Sequence, residues 1–415
     1  MRWLRVVVVT VLLAGLALAL SPRGRRLSEA VGLLADVWAV GAAEAGGRSA
    51  EVTTIAYAGP GGRERAADLY CDRSSAPLAR LLLVHGLVDA GKDDARLRTL
   101  GEAFARHRFA VLVPDFPGMR ALVAGREDVA EVAAAIEALH GIGDCRPGAP
   151  SRRMQTGVVG FSYSAGPVLL ALDTPARRAD FAVLFGGYYD LAEVVRFLTT
   201  GRHGLAGAEQ EGEILPEGRW ILLEANAPVI ADPADREALV AIARRRRHDA
   251  AALIDDLGGT LGPAARALLD LMANRDPSRF DALLAAAGPE INGLLADLSP
   301  SRGLTRPVTA DLLLLHGRGD IVIPYTQSLA LAARVPSGGA VRLAILGGFR
   351  HARPEAGAAA GWWASAARYP ADSLRLLSFL DEVLARRGRR SLTEAPPDRS
   401  SSCFFPLPGR GRRAG

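Results

Sequence analysis

Between residues 51 and 187, short apolar runs alternate with longer stretches whose apolar positions recur at helical spacing. Runs at 52–57, 66–71, 80–84, 109–114, 156–160 and 181–185 read as strands. Several are continuous in Val, Leu and Phe rather than alternating, as expected of strands covered on both faces. Stretches 95–106 and 127–139 between them read as helices. Strand and helix in alternation predict an α/β domain with a mostly parallel sheet flanked by helices.

The pattern changes from 190 to 304. Strand-like runs lapse, and Ala/Leu/Arg-rich helical segments follow one another at 191–198, 235–247, 250–257, 264–272 and 280–287. Gly262-Pro263, Asp276-Pro277 and Gly288-Pro289 punctuate them. An all-helical cap insertion is expected here. Sheet-type sequence returns at 310–315 and 341–346, each followed by helix, the last spanning 372–387. The core is therefore assigned to 50–189 and 305–388. The tail from 389 to 415 is rich in Ser, Pro and Arg without period, which predicts disorder.

The N-terminus adds a location. A basic start (Arg2, Arg5) precedes an apolar run of about 15 residues ending at Leu20, and Ala17-Leu-Ala19 offers a small-residue cleavage site. Residues 1–22 are read as a signal peptide or a membrane anchor, since spanning a bilayer takes about 20 residues. Either reading places the chain outside the cytoplasm or attached at its membrane. Three cysteines, Cys71, Cys145 and Cys403, are too few for a disulfide scaffold or zinc site, although export would permit a Cys71–Cys145 bridge. A net charge of +5 is carried by scattered arginines with no aromatic-interleaved basic stripe, so nucleic acid is not an expected partner.

The sharpest chemical signal is Gly160-Phe161-Ser162-Tyr163-Ser164. An apolar strand runs into a serine and then into small residues and an apolar helix, as a nucleophile elbow requires. Small residues two positions either side let the backbones approach; here Gly160 fits, and Ser164 replaces the second glycine. Residues 81–87 add a buried strand ending in His85-Gly86, and 312–324 add another ending in His316-Gly-x-x-Asp320 and closing on Pro324. With these segments the sequence resembles the α/β-hydrolase family. The resemblance implies a catalytic triad of Ser162, Asp320 and His351, with the amides of Leu87 and Tyr163 as an oxyanion hole. His351 is the one histidine after Asp320, which suits the order Ser, Asp, His. Asp190, after the sixth strand, is the competing acid.

The family's chemistry would be hydrolysis of an ester, thioester or amide through an acyl-enzyme, without metal or organic cofactor. A carboxylic ester with a hydrophobic acyl group is the expected substrate, because apolar helices are inserted where they can cover the site. An exported peptidase shares the triad, and a non-catalytic scaffold of the same fold is the rival from another class. A near P-loop at 86–93 is set aside, because Asp93 stands where a magnesium-binding hydroxyl is required.

Overall fold

The computed structural model describes residues 21–38, 50–143, 145, 154–173, 178–205, 207–259, 261–350, 353–354 and 369–388. The apolar leader up to Leu20, the histidine His351, Cys403 and the tail from 389 lie outside the described residues.

Eight strands form one sheet: β1 (Glu51–Ala58), β2 (Glu64–Cys71), β3 (Ala79–Val84), β4 (Phe109–Pro114), β5 (Gln155–Phe161), β6 (Phe181–Phe185), β9 (Asp311–Gly317) and β10 (Val341–Leu346). A separate antiparallel ribbon supplies β7 (Arg202–Leu205) and β8 (Ala208–Glu211). The order across the main sheet is β1-β2-β4-β3-β5-β6-β9-β10. Strands β1 and β2 pair antiparallel, β2 meets β4 antiparallel, and every later pairing is parallel.

Continuous apolar strands are explained by burial on both faces. Leu82, Val84, Leu112, Val158, Leu184, Leu312 and Leu314 join one core, beneath α3 (Glu127–Gly141) and α4 (Ala165–Ala171). The alternate residues Leu81, Leu83, Val111, Val159, Val183 and Leu313 join another with α1 (Pro22–Trp38), α2 (Ala95–Arg106) and α11 (Pro370–Ala385). The period of two in side-chain direction makes this division. Helix α1 belongs to that core: Ala30 and Leu33 are buried, and Arg26 pairs with Asp381 at 3.1 Å.

The insertion has its own core around Trp220, Leu239, Ile242, Leu268 and Phe280. It is built by α5 (Leu191–Thr200), α6 (Gly218–Asn226), α7 (Pro233–His248), α8 (Pro263–Ala273) and α9 (Pro289–Asp297) with shorter helical turns. Asp190 caps α5 by accepting from the Ala192 amide, and Asp232 caps α7 by accepting from the Asp235 amide. Prolines open α7, α8 and α9, where a missing N–H costs nothing.

Two local expectations are corrected. The insertion is not wholly helical, because the polar stretch after α5 turns at Gly201 and Gly207, both at positive φ, into the β7–β8 ribbon. The helix expected at 250–257 shrinks to Asp255–Gly258, because Asp249 is extended at φ −142° and its carboxylate accepts from the Ala251 amide instead. Cys71 and Cys145 are disulfide-bonded, tying the end of β2 to the chain beyond α3.

Candidate active site

Strand β5 ends at Phe161, and Ser162 follows at φ +55°. A left-handed backbone at a non-glycine residue costs roughly 1–3 kcal/mol and is kept only where surrounding structure enforces it. The enforcement is visible. A Cβ at Gly160 would lie 3.2 Å from the Ala165 Cα, so the strand and the start of α4 touch there. On the other side of the turn Ser164 is fully buried, and its hydroxyl oxygen accepts from the Phe161 amide at 2.8 Å. The same oxygen lies 2.8 Å from the Val84 carbonyl, to which it donates. The serine in place of glycine thus stitches the turn to the end of β3.

The segment after β3 closes over this turn. A Cβ on Gly86 would meet the Phe161 carbonyl at 2.9 Å and the Ser162 Cβ at 3.4 Å, so only glycine lets the loop lie against the serine. The amide of the next residue, Leu87, has no acceptor among the described residues. Tyr163 lies in the first turn of the helical segment that begins at Ser162, where N–H groups have no intrahelical acceptor. His85 shapes the loop rather than moving protons. Its Nε2 accepts from the Phe116 amide at 3.2 Å, which leaves Nδ1–H to donate to the Gly86 carbonyl at 2.8 Å. Burial holds its imidazole below the usual pKa and so in this neutral form.

Asp320 follows β9 at the same edge of the sheet. Phe161 is in register with Phe185, and Phe185 with Leu315, so the chain leaves β5, β6 and β9 on one rim. Asp320 is buried, and its Oδ1 accepts from the amides of Val322 at 2.8 Å and Ile323 at 3.0 Å. Between elbow and acid stands a glycine pair. A Cβ on Gly187 would lie 2.7 Å from the Ala165 Cβ, and one on Gly186 (φ +60°) 3.5 Å from the Asp320 Oδ2. His316 lines the other side, with Nε2 3.4 Å from that Oδ2. Its Nε2 also lies 2.9 Å from the Ile323 carbonyl and its Nδ1 2.6 Å from the Ser328 hydroxyl, as in a packing histidine.

Strand β10 runs parallel to β9 and reaches the same rim. The Asp372 carboxylate holds the root of the loop beyond it, accepting from the Gly347 amide at 2.6 Å and the Gly348 amide at 3.0 Å. His351, the third member of the expected triad, lies four residues beyond Gly347 in the sequence and outside the described residues.

The strand order, the positive-φ serine after β5 and the acid two strands across decide the architecture. The fold is that of the α/β-hydrolases.

No protein-family profile matches the chain, and no curated protein matches its sequence. Similar solved structures include a Pyrococcus horikoshii acylaminoacyl peptidase, 14% identical over 85% of this chain and 43% of that one, with a TM-score of 0.46. Oligopeptidase B from Trypanosoma brucei is 11% identical over 82% of this chain and 38% of that one, at a TM-score of 0.45. An esterase from Pyrococcus furiosus is 12% identical over 80% of this chain and 93% of that one, at 0.41. The chain spans less than half the length of the two peptidases. Likeness this distant bears on neither activity nor substrate, and the fold assignment rests on the strand order itself.

Within the α/β-hydrolase core, the competing acid Asp190 is committed elsewhere. Its Oδ1 caps α5, and its Oδ2 accepts from the Ser301 hydroxyl at 2.8 Å. The P-loop lookalike is likewise occupied: Lys92 Nζ binds Asp68 at 2.9 Å and Asp93 at 3.0 Å. Among the described residues no group of three or more His, Cys, Asp or Glu is placed to hold a metal. None of their helices is long and apolar enough to cross a membrane. A cavity of about 500 Å³ between α5, the ribbon and α10 (Thr326–Arg334) is lined by Asp190, His203 and Gln327, away from Ser162.

Sequence reasoning missed three supports: the Ser164 hydroxyl, Asp372 and Asp128. Asp128 lies behind the elbow, where its Oδ2 accepts from the Tyr163 hydroxyl at 2.7 Å and the Gly125 amide at 2.9 Å. Burial pushes its carboxyl up to about 6. The insertion is fastened to the rim, as the Leu215 amide donates to the Ile321 carbonyl next to Asp320 at 2.8 Å. Asn226 at the end of α6 accepts from the Ala124 amide at 2.9 Å.

Proposed function

We propose that this protein is a serine hydrolase in which Ser162 attacks an acyl carbon. The observation that carries the reading is the left-handed backbone of Ser162 at a strand-to-helix turn, with the Gly86 loop pressed against it. Such a turn lifts the hydroxyl clear of the sheet edge. His351, arriving from the loop after β10, removes the hydroxyl proton as the oxygen bonds to carbon. It then gives that proton to the leaving group as the acyl–heteroatom bond breaks. Asp320, already held by two amides on one oxygen, fixes the imidazole tautomer and offsets its positive charge. The amides of Leu87 and Tyr163 stabilise the oxyanion. Water attacks the acyl-enzyme in the second half, with His351 again the base.

The substrate we infer is a carboxylic ester with an apolar acyl group. Support comes from the insertion, whose Leu215 is bonded to the rim beside Asp320. We also place the mature protein outside the cytoplasm. The basic-apolar leader supports this, as does the Cys71–Cys145 disulfide, a bond that persists mainly in oxidising compartments.

A panel of nitrophenyl esters of increasing acyl length, run beside aminoacyl anilides, tests the reading. Ester turnover that is lost by at least about 10³-fold in His351→Ala, in proportion to a shared loss in kcat, supports it. Turnover unchanged by that substitution contradicts the mechanism. Faster cleavage of anilides than of esters contradicts the ester assignment alone.

A further inference from the structure

The insertion holds a cluster of cations that the proposed hydrolysis does not use. Arg219 and Trp220 are adjacent on α6, and both are almost wholly buried, at 3% and 1% exposure. The Arg219 guanidinium carbon lies 4.9 Å from the centre of the Trp220 ring, and that of Arg246, from α7, lies 6.0 Å from it. Arg275, just beyond α8, is near enough to repel Arg219. Two positive charges therefore share one apolar ring, with a third close by.

The neighbours of Arg246 make the cluster more unusual. Residues 244–247 are four successive arginines. Arg244 and Arg247 pair with Glu224, and Arg245 pairs with Asp256 at 2.6 Å. Arg246 has no carboxylate among the described residues; its Nη1 donates to the Ala250 carbonyl and its guanidinium turns to Trp220. Arg219 and Arg275 also form no ion pair among the described residues.

Unmet donors point the same way. Six buried side-chain nitrogen or oxygen atoms lack a hydrogen-bond partner among the described residues, and four belong here: Arg219 Nε and Nη1, Arg246 Nε and Trp220 Nε1. All four are N–H donors, and none meets an acceptor among the described residues. Leaving a buried charge unpaired costs several kcal/mol, far more than stacking on an aromatic ring returns. Losing the proton is no escape. Burial, then the Arg275 and Arg246 charges, lower the Arg219 guanidinium only to about 10, so it remains charged near neutral pH. An anion with several acceptor oxygens would satisfy these donors. Arg246 is half-buried and Arg275 exposed, which gives such a ligand a way in.

We propose that the insertion binds a phosphate group between Arg219, Arg246 and Arg275. Guanidinium forks match the oxygens of phosphate in geometry, and a dianion answers two or three cations where a single carboxylate answers one. The site is independent of the hydrolase reading. Its phosphate comes either as a free small molecule or as a lipid headgroup, and the two share this chemistry.

Thermal unfolding of the full chain, titrated with inorganic phosphate against chloride at matched ionic strength, tests the site. Phosphate at about 100-fold over its Kd should raise the midpoint by roughly 3–4 °C in the wild-type protein, given the length of the chain. The rise should vanish in both Arg219→Met and Arg246→Gln. In phosphate-free buffer Arg219→Met should unfold no lower than wild type, since it removes an unpaired buried charge. If Arg219→Met does not fold, the half-buried Arg246→Gln carries the test alone. Equal responses to phosphate and chloride, or phosphate stabilising wild type and Arg246→Gln alike, overturn the proposal. Flotation with phosphatidylglycerol vesicles then separates the sources. Retention that Arg246→Gln abolishes and free phosphate competes supports a headgroup. Phosphate stabilisation without retention supports a soluble ligand.

Discussion

The hydroxyl of Ser164 bridges to the carbonyl of Val84 across 2.8 Å, joining the turn after β5 to the end of β3. A position that resembles a small spacer in the sequence is a structural tie. Ser164→Gly restores the family's usual residue, yet it leaves the Phe161 amide and the Val84 carbonyl without their partner. Denaturant unfolding should show a loss of about 1–3 kcal/mol, the cost of a buried group left unsatisfied. Ser164→Ala should lose a similar amount, because the hydroxyl and not the backbone is responsible. Unchanged midpoints in both variants would refute the tie.

A side chain at position 86 has no room beside the elbow. Gly86→Val places carbon within 2.9 Å of the Phe161 carbonyl, and backbone must shift to relieve it. The shift moves the Leu87 amide away from Ser162. We expect kcat against short esters to fall about 10²-fold, the order that a 1 Å misplacement costs, with the circular dichroism spectrum unchanged. Wild-type turnover in a folded variant would place the oxyanion donors elsewhere.

Asp128 makes stability depend on pH in a defined sense. Its folded carboxyl titrates at about 6 against roughly 3.9 when unfolded, so the folded state binds the extra proton between those values. Its contribution is fully present below about pH 4 and is lost as pH rises through about 6, amounting to roughly 2–3 kcal/mol. Asp128→Asn keeps an acceptor for the Tyr163 hydroxyl and removes the titration. Midpoints measured from pH 4 to 8 should show wild type losing ground to Asp128→Asn as pH rises. Parallel curves would contradict the assignment.

Much of the sheet was legible because its strands are buried on both faces and so read as continuous apolar runs. The ribbon was not, because Arg202-His-Gly-Leu205 and Ala208-Glu-Gln-Glu211 have no apolar face to betray a strand. Helix α1 was hidden by the apolar run before it, although Ala30 and Leu33 already had helical spacing. The turn at Ser162 and the loop that carries Asp320 could be read locally, since each follows its own apolar strand. Their supports could not. Ser164 meets Val84 from 80 residues away, and Asp372 meets Gly348 from 24. Such partners are set by topology, which no local window contains.

The disulfide joins residues separated by 74 positions. A loop of that length corresponds to about 4 kcal/mol in the chain-entropy account of cross-links. Reduction, or Cys145→Ser, should lower the unfolding free energy by about 2–5 kcal/mol while leaving ester turnover of the folded protein intact. Identical unfolding curves with and without reductant would show that the bond does not form.

The central claim is that Ser162 is an activated nucleophile, and covalent labelling by a fluorophosphonate probe measures that property directly. The account predicts one modified peptide, carrying the adduct at Ser162, and no labelling of folded Ser162→Ala. Failure of the folded wild-type protein to label, or labelling that persists in Ser162→Ala, would contradict it.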